Sequence, residues 1–171
     1  GAGAGAGTTV NLPVPAGTGD ELADLYRAVL PPLAARFRPD LVLLSFGADA
    51  HRLDPLAGLD LSVAGLADAV GVIQEVADTH CGGRLVATLE GGYHAEVLAT
   101  CVAAVARRLA DPMAEIADPF GPTARRTRDL GTLTEAIRGL HRLGLHRLRD
   151  LRRRGPGRHH RSARCARLHA R

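Results

Sequence analysis

Two short stretches of this 171-residue chain concentrate side chains able to do chemistry. The first is Ser45-Phe46-Gly47-Ala48-Asp49-Ala50-His51-Arg52-Leu53-Asp54-Pro55-Leu56. Carboxylate and imidazole both ligate zinc, and a catalytic zinc usually has three protein ligands with one open position. Asp49-x-His51 supplies two at best. The competing reading makes Asp49 a helix cap and His51 a surface residue, and Asp54 before Pro55 reads as a turn former. The second stretch is Glu90-Gly91-Gly92-Tyr93-His94. Paired glycines let the backbone approach a ligand closely, and a tyrosine hydroxyl can donate a hydrogen bond to an oxyanion. Against this stands a plain half-buried tyrosine at a helix start.

Both stretches follow segments that read as strands. Leu41-Val42-Leu43-Leu44-Ser45 is a short continuous apolar run, the kind buried on both faces of a parallel sheet. Arg84 to Leu89 reads as a third strand, after an earlier one at Thr8 to Val14. Helices are expected between them. Asp20 can cap one from about Glu21 to Phe37, with Leu22, Leu25, Tyr26, Val29, Leu30 and Leu33 at helical spacing and Pro31-Pro32 kinking its later half. Ser62 can cap a second helix to about Thr79, and a third runs from about Ala95 to Leu109. Strand, helix, strand, helix, strand, helix predicts an α/β fold: an open parallel sheet with right-handed crossover helices. Ligands of such sheets bind beyond the carboxyl ends of the strands, where Asp49 and Tyr93 fall.

The alternating glycines of residues 1–7 precede a strand instead of following one, and no G-K-S/T is present, so a flexible or tightly turning loop feeding a strand is a better account than a nucleotide-binding loop. The chain opens inside that loop without a methionine, as a fragment would. No apolar run approaches the ~18 residues of a membrane span, and no signal segment opens the chain; a soluble, cytoplasmic protein is the expectation. Three widely spaced cysteines give no disulfide framework, and Cys101 reads as a small core residue. The formal charge of +4 averages two unlike regions. Residues 1–120 hold 7 arginines against 15 acids, a net of −8, and residues 121–171 hold 15 against 3, a net of +12. Residues 110–129 read as a linker, 130–151 as an amphipathic helix, and 152–171 as a disordered Arg/His-rich tail. Such a tail could bind a polyanion by neutralising phosphates, without sequence specificity.

Taken together, the glycine-rich loop, V-N-L-P-V-P with G-x-G-D, then P-D-L-V-L-L-S-F-G-A-D-A-H-R-L-D-P-L, then L-E-G-G-Y, resembles the C-terminal part of the zinc-dependent histone deacetylase family. That family includes bacterial acetoin-utilisation and acetylpolyamine deacetylase proteins, and the match covers about residues 1–109. The resemblance implies an arginase/deacetylase-like fold and hydrolysis of an acetyl amide, on acetyl-lysine or an acetylated small amine, to acetate and free amine. It further implies that Asp49 is a zinc ligand, that the Tyr93 hydroxyl polarises the acetyl carbonyl, and that Gly91 and Gly92 line the acyl channel. His51 matches a position that is not a family ligand. The family's tandem histidines and its other zinc ligands lie upstream of the glycine-rich loop, and His159-His160 in the arginine-rich tail does not replace them. One zinc ligand of three is then present, so the isolated chain is expected neither to hold Zn2+ tightly nor to deacetylate. The alternative is a truncated, non-catalytic relative that works through its basic tail.

Overall fold

The structure is a computed structural model that describes residues 2–121 and 129–143. The tail 152–171, residues 144–151 of the helix expected over 130–151 and residues 122–128 of the expected linker lie outside the described residues. Helix α1 spans Leu22–Phe37, strand β1 Val42–Phe46, helix α2 Val63–Cys81, strand β2 Leu85–Leu89, helix α3 Ala95–Ala110 and helix α4 Gly131–Leu140. The strands run parallel in register, Val42 beside Leu85 through Phe46 beside Leu89, with α2 as the connection between them. The α/β reading therefore holds.

The strand expected over Thr8 to Val14 does not form. Val10, Leu12 and Val14 do pack against the core, as their alternation suggests, but Pro13 and Pro15 have no N–H to give a ladder. The sheet among the described residues has two strands, and the segment expected as its third strand is β2.

Helix α2 is the centre of the core, packed by α1 on one side and α3 on the other. Leu25 and Val29 of α1, Leu66 and Val70 of α2, and Val97, Cys101 and Val105 of α3 are buried together. Cys101 is fully buried, and burial pushes its thiol up to about 11, so it behaves as a small apolar side chain. From β1, Phe46 and part of Leu44 join this core, whereas Leu43 on the opposite face is 73% exposed.

Helix termini explain several residue choices. Ser62 caps α2, its Oγ accepting the Gly65 N–H at 2.9 Å. Asp20, expected as the cap of α1, serves α2 instead: its carboxylate accepts the Ser62 N–H at 2.8 Å and the Ser62 hydroxyl at 2.7 Å. A serine brought in from 42 residues away offers that carboxylate two donors at once. The arrangement requires glycine at 65, because a Cβ there would stand 1.8 Å from Asp20 Oδ1. Gly65→Ala should cost about 1–2 kcal/mol despite the better helix propensity of alanine, since Asp20 must leave its two hydrogen bonds. A lowered urea midpoint of the chain checks this, and an unchanged or raised midpoint counts against it.

Helix α1 continues through Pro31 and Pro32. Proline at 32 leaves the Ala28 carbonyl without its helical donor, and Arg138 of α4 fills the place, Nη1 donating to Ala28 O at 2.6 Å. Helix α4 is shorter than the span expected from residue 130 to 151. It stops at Leu140, and Arg142 turns the chain with a positive φ of 52°.

Candidate functional site

Parallel pairing puts the carboxyl ends of β1 and β2 side by side, so the loops that leave them must meet. Two backbone hydrogen bonds extend the pairing into the loops: Glu90 N–H to Phe46 O at 2.7 Å and Ala48 N–H to Gly91 O at 2.9 Å. Asp49 lies in a single tight turn, Ala48–Ala50, directly after β1. Its carboxyl group rests against the backbone of Gly91, where an added Cβ would come within 2.9 Å of Asp49 Cγ. Only glycine permits that approach. At Gly92 the backbone takes φ +130°, and a Cβ would meet Ala48 Cβ at 3.0 Å and Leu98 Cδ1 at 2.9 Å.

Tyr93 follows at once, with its side chain 61% exposed beside this junction. It is more exposed than the half-buried tyrosine of the bland reading. Its own N–H is held by Asp54, at 2.7 Å to Oδ2. His94 then caps α3, Nδ1 accepting the Val97 N–H at 3.4 Å. The structure thus brings Asp49, Gly91, Gly92 and the Tyr93 backbone together at one edge of the sheet. An apolar cavity of about 560 Å³ lies elsewhere, between α1, β1 and the N-terminal segment; Leu33, Phe37 and Leu43 line it, and no residue of these two loops does.

His51 is a correction to the surface reading: it is fully buried. Its ring meets Phe120 edge-on, centroids 5.5 Å apart, and its Nδ1 accepts the Leu53 N–H at 3.2 Å. The proton of the neutral ring therefore sits on Nε2. Burial first, and then the neighbouring Arg52, hold its pKa below the usual histidine value, so His51 is a neutral packing element of the loop.

The rest of the Asp49 loop is fastened from three directions. The Gly17-Thr18-Gly19-Asp20 turn zips along its far end: Gly17 N–H donates to Gly58 O at 2.6 Å and Asp60 N–H to Thr18 O at 2.8 Å. Arg52 donates to Leu61 O through its backbone, and through its guanidinium to Asp118 at 3.1 Å and to the Gly121 carbonyl. Asp118 also accepts the Val63 N–H at 3.0 Å and the Phe120 N–H at 2.9 Å. Sequence spacing did not point to Asp118, which stands 66 residues from Arg52 inside a stretch that reads as a connection.

Comparison with known proteins bears directly on this arrangement. The family described as "Histone deacetylase domain" matches residues 1–109. The chain is 42% identical over 147 residues to the chloroplastic histone deacetylase 10 of Oryza sativa subsp. japonica, covering 84% of this chain and 33% of that protein. It is 40% identical over 126 residues to the human polyamine deacetylase HDAC10, covering 71% of this chain and 18% of that protein. In three dimensions it resembles the HD domain of HDA15, with a TM-score of 0.65 and 28% identity over 82% of this chain and 36% of that one. The chain spans between 18% and 37% of the length of such curated relatives.

Proposed function

Because this chain belongs to the histone deacetylase family, we propose that it forms the C-terminal part of a zinc-dependent deacetylase site that hydrolyses an acetyl amide to acetate and free amine. The observation that carries the reading is the junction just described: a carboxylate, a glycine pair and a tyrosine converge beyond the carboxyl ends of two parallel strands. In this reading Asp49 is a metal ligand and Gly91 and Gly92 line the acyl channel. The Tyr93 hydroxyl donates to the acetyl oxygen as negative charge develops on it, the moment at which a fixed donor contributes most. Acetyl-lysine and acetylated polyamines are the substrate classes that fit the names of the relatives, and a soluble compartment fits a chain in which no described helix is long and apolar enough to cross a membrane.

The residues described here do not by themselves make a zinc site. A catalytic zinc needs three protein ligands, and Asp49 is the single candidate at this junction, so no step of the reaction is routed through the metal here. Alone, the chain should show no tight zinc binding and no acetyl hydrolysis.

A chimera tests both halves of the proposal. Replacing the matching 147 residues of the rice relative with this chain's own should yield a protein that takes up zinc and releases acetate from an acetyl-lysine peptide or an acetylated polyamine. A chimera that folds and loads zinc but hydrolyses neither would sink the deacetylase reading. Tight one-to-one zinc binding in a titration of the isolated chain would overturn the incomplete-site reading.

A further inference from the structure

The Tyr93 side chain stands largely in solvent, so packing does little to fix where its hydroxyl points. What is fixed is the backbone beneath it. On one side the Gly91 carbonyl is tied to Ala48 N–H and the Gly92 backbone lies against Ala48 and Leu98. On the other, His94 starts α3. Between these ties, the Tyr93 N–H donates to Asp54 Oδ2 at 2.7 Å, a short charge-assisted bond.

Asp54 is well suited to hold that position. It is buried, with 7% of its surface exposed, and its carboxylate is surrounded by backbone donors. Oδ1 accepts the Leu56 N–H at 2.9 Å, closing the turn around Pro55, and the Ala57 and His94 N–H groups also favour its charged form. Burial alone would raise its pKa, but these hydrogen bonds outweigh it, and the net displacement is downward. One oxygen thus belongs to the loop after β1 and the other to the loop after β2. The carboxylate is the bracket that sets one loop against the other at the point where Tyr93 departs.

We propose that Asp54 is a positioning residue for Tyr93, joining the Asp49 loop to the tyrosine backbone so that the hydroxyl is held in register with the Asp49 carboxylate. The proposal rests on the reading of Tyr93 as the donor to the developing oxyanion. A misplacement of about 1 Å in such a donor can cost on the order of 10²-fold in rate.

The test is a double-mutant cycle in the chimera, read as kcat and KM separately. Asp54→Ala should lower kcat by about 10–100-fold with KM changed far less, and Asp54→Asn, which keeps one acceptor oxygen, should fall between it and the parent. In a Tyr93→Phe background, Asp54→Ala should cause almost no further loss in kcat, because the hydroxyl it positions is already gone. An equal loss in both backgrounds would show a general structural role and overturn the proposal, as would an unchanged kcat in Asp54→Ala.

A second measurement on the full-length chain separates this idea from the deacetylase reading. In ¹⁵N-labelled protein the Tyr93 amide should resonate downfield and exchange slowly, and both properties should be lost in Asp54→Ala. If the parent chimera is inactive while the amide behaves this way, the deacetylase reading fails and the bracket stands. If the amide does not respond to Asp54, the bracket itself is wrong.

Discussion

Tyr93→Phe in the zinc-loaded chimera is expected to lower kcat by about 10²–10³-fold while leaving KM within a small factor of the parent value. The substitution removes one oxygen from a side chain that is mostly exposed, so it leaves no cavity and breaks no packing. Its backbone bond to Asp54 is untouched, because the donor is the main-chain N–H. What disappears is a hydroxyl that interacts with the acetyl oxygen chiefly after the carbonyl becomes tetrahedral. Loss of an interaction made in the transition state lowers kcat and kcat/KM together. Steady-state kinetics on an acetyl-lysine peptide decides the matter: a rise in KM at constant kcat would mean that Tyr93 binds ground state and transition state equally.

Asp118→Ala is expected to destabilise the chain by about 3–5 kcal/mol, the range for removing one partner of a buried ion pair. The Arg52 side chain is only 9% exposed and the Asp118 side chain 14%, so solvent cannot replace the lost partner. The carboxylate also accepts two backbone N–H groups, those of Val63 and Phe120, which would be stranded as well. Burial pushes the Asp118 pKa up, but the Arg52 hydrogen bond and the two backbone bonds outweigh it and hold the carboxyl below its ordinary 3.8. A group depressed in the folded state contributes its stability above the unfolded pKa and loses it as pH falls through the folded one. The urea midpoint of the parent chain should therefore drop as pH falls below about 3.8, and Asp118→Ala should flatten that part of the profile. A variant that loses under 1 kcal/mol, or keeps the parent's acid profile, would show that the pair carries no such weight.

The parts of the fold that sequence made legible are those fixed by local pattern. The stretches Leu41–Ser45 and Arg84–Leu89 announced two strands, though not their exposure, for Leu43 and Leu89 stand 73% and 56% exposed; the helical spacing of Leu22, Leu25 and Val29 announced α1. From these follows the meeting of the two loops, because a parallel pair places both carboxyl ends at the same edge. Two of the failures, at Asp20 and His51, share a cause: each depended on a partner far along the chain. Asp20 has the right neighbours for a cap of α1, yet Ser62 claims it. The polarity of His51 suggested surface or metal, while Phe120, 69 residues on, makes it part of the interior. Asp54 was half legible. The turn it closes with Leu56 is local, but its bond to Tyr93 spans 39 residues, and no spacing rule within one loop could reveal it. Val10, Leu12 and Val14 alternate as a strand should, and the prolines between them decided otherwise.

The Ala28 carbonyl, left open by Pro32 and taken up by Arg138, has a wider meaning for how this chain coheres. An uninterrupted helix is self-sufficient along its axis and can offer neighbours only its side chains. A gap in the ladder turns one rung outward as a socket, and a distant arginine becomes its plug. The connection between α1 and α4, 110 residues apart, is thereby written into an imperfection of the first helix. Perfection in α1 and attachment of α4 are competing demands on the same oxygen atom.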